Sequence, residues 1–176
     1  KTNKKLFKST FERQMLFNFE DLAIHYLEQR VLDSAFYYIN SAKNKFDLNV
    51  HPFFKDEFNL VEAQTIYYAG NYLECKKVLD SMVNNYENLE KADLLFFIAK
   101  SEEVLGNIKK RDSLLEEIDS IMVANPFPID NTPEVYNILL RNAIKKGDKH
   151  SQLDYLEKLI YFDSLITLNQ KVIKVI

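Results

Sequence analysis

A chain of 176 residues with only three glycines has few places to turn sharply, and all three sit at matching points of one pattern: Gly70-Asn71, Gly106-Asn107 and Gly147-Asp148. Each interrupts an apolar helical period that then resumes, as in the run from Ala63 to Cys75. A glycine can take the left-handed conformation that closes one helix, and Asn or Asp can cap the next. Glu74, three residues after Asn71, offers the second half of a capping box. A version without glycine stands at Arg30-Val31, so successive turns, counted from Arg30 to Gly70, Gly106 and Gly147, lie 40, 36 and 41 residues apart. Repetition at this period is the mark of stacked helix pairs, and it has to be recognised before single segments are interpreted.

The residues flanking these turns make the pattern specific. Seven before each turn stand Ala23, Ala63, Ala99 and Leu140; five after stand Ala35, Cys75, Arg111 and Gln152. Ala23, Ala63, Ala99, Ala35 and Cys75 are small enough to let two helices cross closely, whereas Leu140, Arg111 and Gln152 depart from the pattern. Larger apolar residues follow at Ile39, Leu79, Leu115 and Leu156, and then, three further along the same helical face, at Ala42, Met82, Ile118 and Leu159. In these columns the chain resembles the tetratricopeptide (TPR) family over about residues 19–160, with longer repeats than that family's usual 34 residues. The resemblance implies an all-α superhelix, or solenoid, of about four helix pairs spanning residues 16–49, 56–89, 92–125 and 133–164, with a C-terminal capping or connecting helix over 165–176, all in one domain.

Boundary signals fit this frame. Ser9 with Glu12 can open a helix running through Tyr26, and Thr132 can cap one that starts at Pro133. His51-Pro52 and the Pro126-Phe127-Pro128 segment read as loops between repeats, because the residue before a proline avoids the helical region. Apolar residues at Leu165, Leu168, Val172 and Val175 suit either a cap over the last pair or the start of a coiled-coil seam, which would make the chain a homodimer through its C-terminal helix.

Composition narrows the function classes. A chain of this length buries about 70% of its unfolded surface and needs no staple, and one cysteine, Cys75, excludes an internal disulfide framework. Acidic residues number 26 against 23 basic ones, a formal charge of −3, whereas nucleic-acid binders carry a basic surplus. Nucleic acid is therefore not the expected partner. Two basic clusters, Lys109-Lys110-Arg111 and Lys145-Lys146 with Lys149 and His150, set a phosphate-binding patch against the plainer reading of cations at helix ends. No run is long and apolar enough for a membrane span. The start without Met and the apolar end Val172-Ile173-Lys174-Val175-Ile176 suggest a piece of something longer.

Catalytic and metal signals are not found. His25, His51 and His150 lie far apart and pair neither with one another nor with Cys75 at a ligand spacing, so neither metal nor cofactor is expected. Cys75 occupies a small-residue position and reads as packing rather than as a nucleophile. Acidic neighbours such as Glu102-Glu103 and Glu116-Glu117 point about 100° apart on a helix and share no site. Phosphate loops, nucleophile elbows and dinucleotide fingerprints are missing from the sequence.

The TPR resemblance implies a non-catalytic module that holds a protein or peptide in a concave groove lined by the first helix of each pair. Outward positions there are Glu20, Ile24, Leu27, Leu60, Glu103 and Ile144, and the partner-binding residues expected among them and their neighbours are Gln64, Tyr67, Tyr68, Phe96, Lys100, Asn137 and Arg141. Tyr, Phe and Arg concentrate binding energy, although Tyr67 or Tyr68 packing between repeats is the rival reading. A chaperone-type carboxylate clamp is not expected, because its places hold Glu20, Ile24, Val61, Asp93 and Phe97. Lys favoured over Arg, with plentiful Asn, Ile, Tyr and Phe, matches an AT-rich bacterial coding bias. The resemblance extends to sensor regions of bacterial membrane-bound regulators through Asp163-Ser164-Leu165, which would tether the full-length protein to a membrane. A cytoplasmic scaffold without membrane link is the second reading, and an enzyme in a helical fold the third.

Overall fold

The computed structural model describes residues 2–125, 129 and 131–173, with side chains described for 10–125, 129 and 131–165; Pro126, Phe127 and Pro128, and the side chains of Leu168, Val172 and Val175, lie outside them. Among the described residues the chain is all-α, with eight α-helices and no strand. In order these are α1 (Thr2–Glu28), α2 (Leu32–Lys45), α3 (Pro52–Tyr68), α4 (Tyr72–Met82), α5 (Asn88–Val104), α6 (Ile108–Ala124), α7 (Thr132–Lys146) and α8 (Lys149–Ile173). They form two compact units, Lys1–Met82 and Val83–Ile176.

One turn closes the first helix of all four pairs. Gly70 N–H donates to the Tyr67 carbonyl and Asn71 N–H to Ile66; Gly106 and Asn107 repeat this with Glu103 and Glu102, and Gly147 and Asp148 with Ile144 and Ala143. These paired bonds satisfy carbonyls that a helix end leaves orphaned, and they require a left-handed residue at the turn. The glycines supply it, with φ of +84°, +82° and +69°. Arg30 completes the series: it lies at φ +60°, its N–H reaches Leu27 and that of Val31 reaches Tyr26. The turn read without its glycine is therefore the same turn, strained by a side chain.

Second helices begin as the capping argument anticipates at two of the four turns. Asn71 Oδ1 accepts from the Glu74 N–H at 3.4 Å, and Asp148 Oδ1 from the Ser151 N–H at 3.2 Å. Asn107 instead turns its amide to Glu102.

In the first unit, α1 and α2 enclose a core of Leu16, Phe19, Ala23, Leu27, Ala35, Ile39 and Ala42, which Phe54, Phe58 and Val61 of α3 extend. Ala63 and Cys75, the small residues of the next pair, are fully buried where α3 meets α4. In the second unit α5 pairs with α6 and α7 with α8, and α6 also packs on α7. Here α5 is buried nearly all round, from Leu94 through Ala99 without a break, as befits a helix with neighbours on several sides.

Four boundaries differ from expectation. Ser9 does not open α1, which runs unbroken from Thr2, because nothing between Thr2 and Ser9 breaks a helix and a capping sequence only favours an end. Pro52 is not a loop residue but the first residue of α3, where its missing N–H would have had no partner and its fixed φ suits the helix; the second pair therefore starts at 52 rather than 56. Residues 165–173 are no separate helix but continue α8. Thr132 is likewise the first residue of α7, with Asn131 before it, a shift of one position.

Candidate functional site

Within the first unit, α1 and α3 lie side by side, and their shared face carries Glu20, Ile24 and Gln64, all half-buried. Glu20 is its most perturbed group. Burial, and then the negative charges of Glu57 and Asp21, push its carboxyl up to about 7; one of its oxygens is fully enclosed without a hydrogen bond. The acid is thus poised between charged and neutral forms near neutrality. At the end of this face the Arg30 guanidinium lies 3.3 Å from the ring centroid of Tyr68, which is 38% exposed. The strained turn and the exposed aromatic ring are therefore joined by a cation–π contact.

In the second unit, ion pairs tie α5 to α6 and to α7. Lys100 of α5 bonds Glu103 at 3.0 Å and Glu134 of α7 at 2.9 Å. Glu103 also takes Arg111 of α6 at 2.7 Å, and Arg111 bonds Asp112 and reaches Asn142 of α7 at 3.3 Å. Burial works against the charge of Lys100, but Glu134 and Glu103 outweigh it and hold its pKa above the ordinary value. Burial likewise opposes ionisation of Glu103, whose pKa Lys100 and Arg111 nevertheless lower. Beside this network Glu102, almost wholly buried, accepts from the Asn107 amide at 2.7 Å and pairs with Lys110 at 2.9 Å. The Lys109-Lys110-Arg111 cluster is therefore largely engaged by carboxylates of its own chain, which weakens the phosphate reading there.

The expected partner-binding residues divide between the units. Gln64, Tyr67 and Tyr68 belong to the α1–α3 face, though Tyr67 is half-buried and packs edge-on against Tyr72 at 5.2 Å. Lys100, Asn137 and Arg141 belong to α5 and α7; Asn137 and Arg141 are exposed, whereas Lys100 is held by its two glutamates. Phe96 is a correction: at 3% exposure it is a core residue and offers no surface to a partner. Because α5 is buried on nearly every side, no helical wheel could pick its outward face. Leu27, also expected outward, is buried in the α1–α2 core.

Sequence reasoning missed two features. A hollow of about 320 Å³ lies in the first unit between α1 and the start of α3, lined by Arg13, Phe17, Val50, His51, Phe53 and Phe54. Phe17 meets Phe54 edge-on at 4.7 Å, and buried His51 faces Glu12 at 3.7 Å. Treating His51-Pro52 as loop concealed it. The other is the Arg111 network, whose only signal was an arginine standing where a small residue was expected.

Among the described residues no cluster of His, Cys, Asp and Glu has metal-binding geometry, and no helix is long and apolar enough to cross a membrane. His25 is exposed and bonded to Gln29 at 2.9 Å, one turn away. No protein-family model matches the chain, and no curated protein matches it.

Proposed function

We propose that this chain is a non-catalytic, TPR-like module that binds a protein or peptide along the first helices of its pairs. The observation that carries the reading is that first helices meet within each unit, α1 with α3 by packing and α5 with α7 through side-chain bonds. Side-by-side α1 and α3 carry Gln64 and Tyr68, and the Lys100–Glu134 bond ties α5 to α7, which carries exposed Asn137 and Arg141. An extended or helical peptide needs such a face: rigid helices below, with aromatic and planar charged groups above. The four identical turns and the small residues beside three of them support the TPR-like reading. In that reading the pairs continue as one superhelix, and the chain serves as the sensory or recruiting part of a bacterial signalling protein.

The test is affinity capture with the wild-type chain beside a Tyr68→Ala, Arg141→Ala double variant, with both shown to unfold at closely similar denaturant concentrations. Proteins retained by the wild type should be lost by the variant. Equal capture by both would remove the Tyr68 and Arg141 faces as binding sites.

A further inference from the structure

We infer that the outer face of α8 is a docking surface for a second copy of this chain, arranged as an antiparallel helix pair about a two-fold axis near Leu156. The inference is independent of the peptide-binding face. Five, nine and twelve residues after the turn, each second helix carries the same column. In α2 it is Ala35, Ile39 and Ala42; in α4, Cys75, Leu79 and Met82; in α6, Arg111, Leu115 and Ile118, and every one of these residues is buried. In α8 the column is Gln152, Leu156 and Leu159, and none of the three is buried: Gln152 and Leu159 are half-buried and Leu156 is 44% exposed, beside Leu153 at 59% and Ile160 at 68%. The opposite side of α8 is already committed, with Phe162 stacked on Tyr136 and Lys158 bonded to Asp119 of α6 at 2.9 Å. The bare stripe thus faces away from the unit, and α8 continues as one helix to Ile173 rather than returning over it.

The charges flanking the stripe favour a second copy over an unrelated partner. Lys149, Leu153, Leu156, Ile160 and Asp163 follow one another at steps of four and three, one face of a helix. Lys149 and Asp163 stand equally far from Leu156, seven residues or about 10 Å along the axis, and carry opposite charge. A two-fold interface requires a patch complementary to itself. Antiparallel pairing about Leu156 sets each Lys149 opposite the other copy's Asp163 and closes the apolar residues between them. Lys149 also sits in the first turn of α8, where the helix dipole disfavours a cation. A carboxylate from the other copy would offset that cost.

The test is sedimentation equilibrium of the whole chain over a concentration series. The wild type should dimerise reversibly, and Leu156→Glu, which changes an exposed residue and places two carboxylates together at the axis, should be monomeric with an unchanged helical spectrum. Lys149→Glu and Asp163→Lys should each weaken the dimer by about tenfold or more through like-charge contacts; the two combined should restore it. A wild type that stays monomeric, a dimer indifferent to Leu156→Glu, or a combined variant no stronger than the single ones would overturn the proposal.

Discussion

Replacing Arg30 by glycine should barely change stability alone, yet should stabilise the protein clearly once Tyr68 is gone. Arg30 sits at φ +60° in a turn that Gly70, Gly106 and Gly147 make without a side chain. Left-handed backbone costs an L-residue about 1–2 kcal/mol, and glycine's greater freedom when unfolded returns some of that. The net advantage of Arg30→Gly is then about 1 kcal/mol. Against it stands the guanidinium 3.3 Å from the centroid of the Tyr68 ring, a contact worth about 0.5–1 kcal/mol where water has access. The two effects nearly cancel in the wild type. In a Tyr68→Ala background only the backbone effect remains, so Arg30→Gly should raise stability by about 1 kcal/mol, and the double-mutant cycle should return the ring contact as its coupling energy. Urea unfolding followed by far-ultraviolet circular dichroism, read at constant slope, measures all four corners. Gly70→Ala supplies the control of opposite sign: a Cβ there meets nothing within 4 Å, so its cost of about 1 kcal/mol is backbone strain alone. If Arg30→Gly destabilised the Tyr68→Ala protein, or if the cycle showed no coupling, the account of this turn would be wrong.

Two further outcomes follow from the buried charges. Glu20 has a folded pKa of about 7 against an ordinary value of 4.5, so the stability linked to its proton is fully present below about 4.5 and is lost as pH rises through about 7. Glu20→Gln should flatten stability across that window, and carboxyl titration by NMR should find a midpoint near 7; a midpoint in the usual range would refute it. Arg111→Met should cost on the order of 2–3 kcal/mol in urea unfolding, because it leaves Glu103 and Asp112 without their shared cation. That is less than for a fully enclosed pair, since both acids keep some contact with water; a loss below about 0.5 kcal/mol would show that solvent screens the network.

Much of the architecture was legible because glycine is scarce here. With three in the whole chain, each marks a place where only positive φ would do, and the columns of small and apolar residues could be counted from those marks. Arg30 shows that the counting survives loss of the glycine, since the turn is set by hydrogen bonds rather than by residue type. Pro52 was misread because proline signals both the avoidance of helix before it and the start of a helix at it, and only the bonding of the following turn decides. The candidate faces were less legible than the fold. An outward face can be read where a helix has one buried side, as on α7, where Asn137 and Arg141 are exposed, but not on α5, where Phe96 had no side facing water. Arg111 stood out only as an exception to its column; that it would be nearly buried, anchoring residues of three helices, depended on acids up to 8 residues away and an asparagine 31 away.

Glu102 ends as the residue that binds the fate of two helices together. A carboxylate near the C-terminal end of α5 faces the negative pole of its own helix, and what makes it tolerable is supplied across the turn, by the Asn107 amide and the ammonium of Lys110. Peeling α6 away would take both of these groups from that acid, so each helix is less stable without the other. The hairpin they form should open and close as a single event, with amide protons along both exchanging at one common rate.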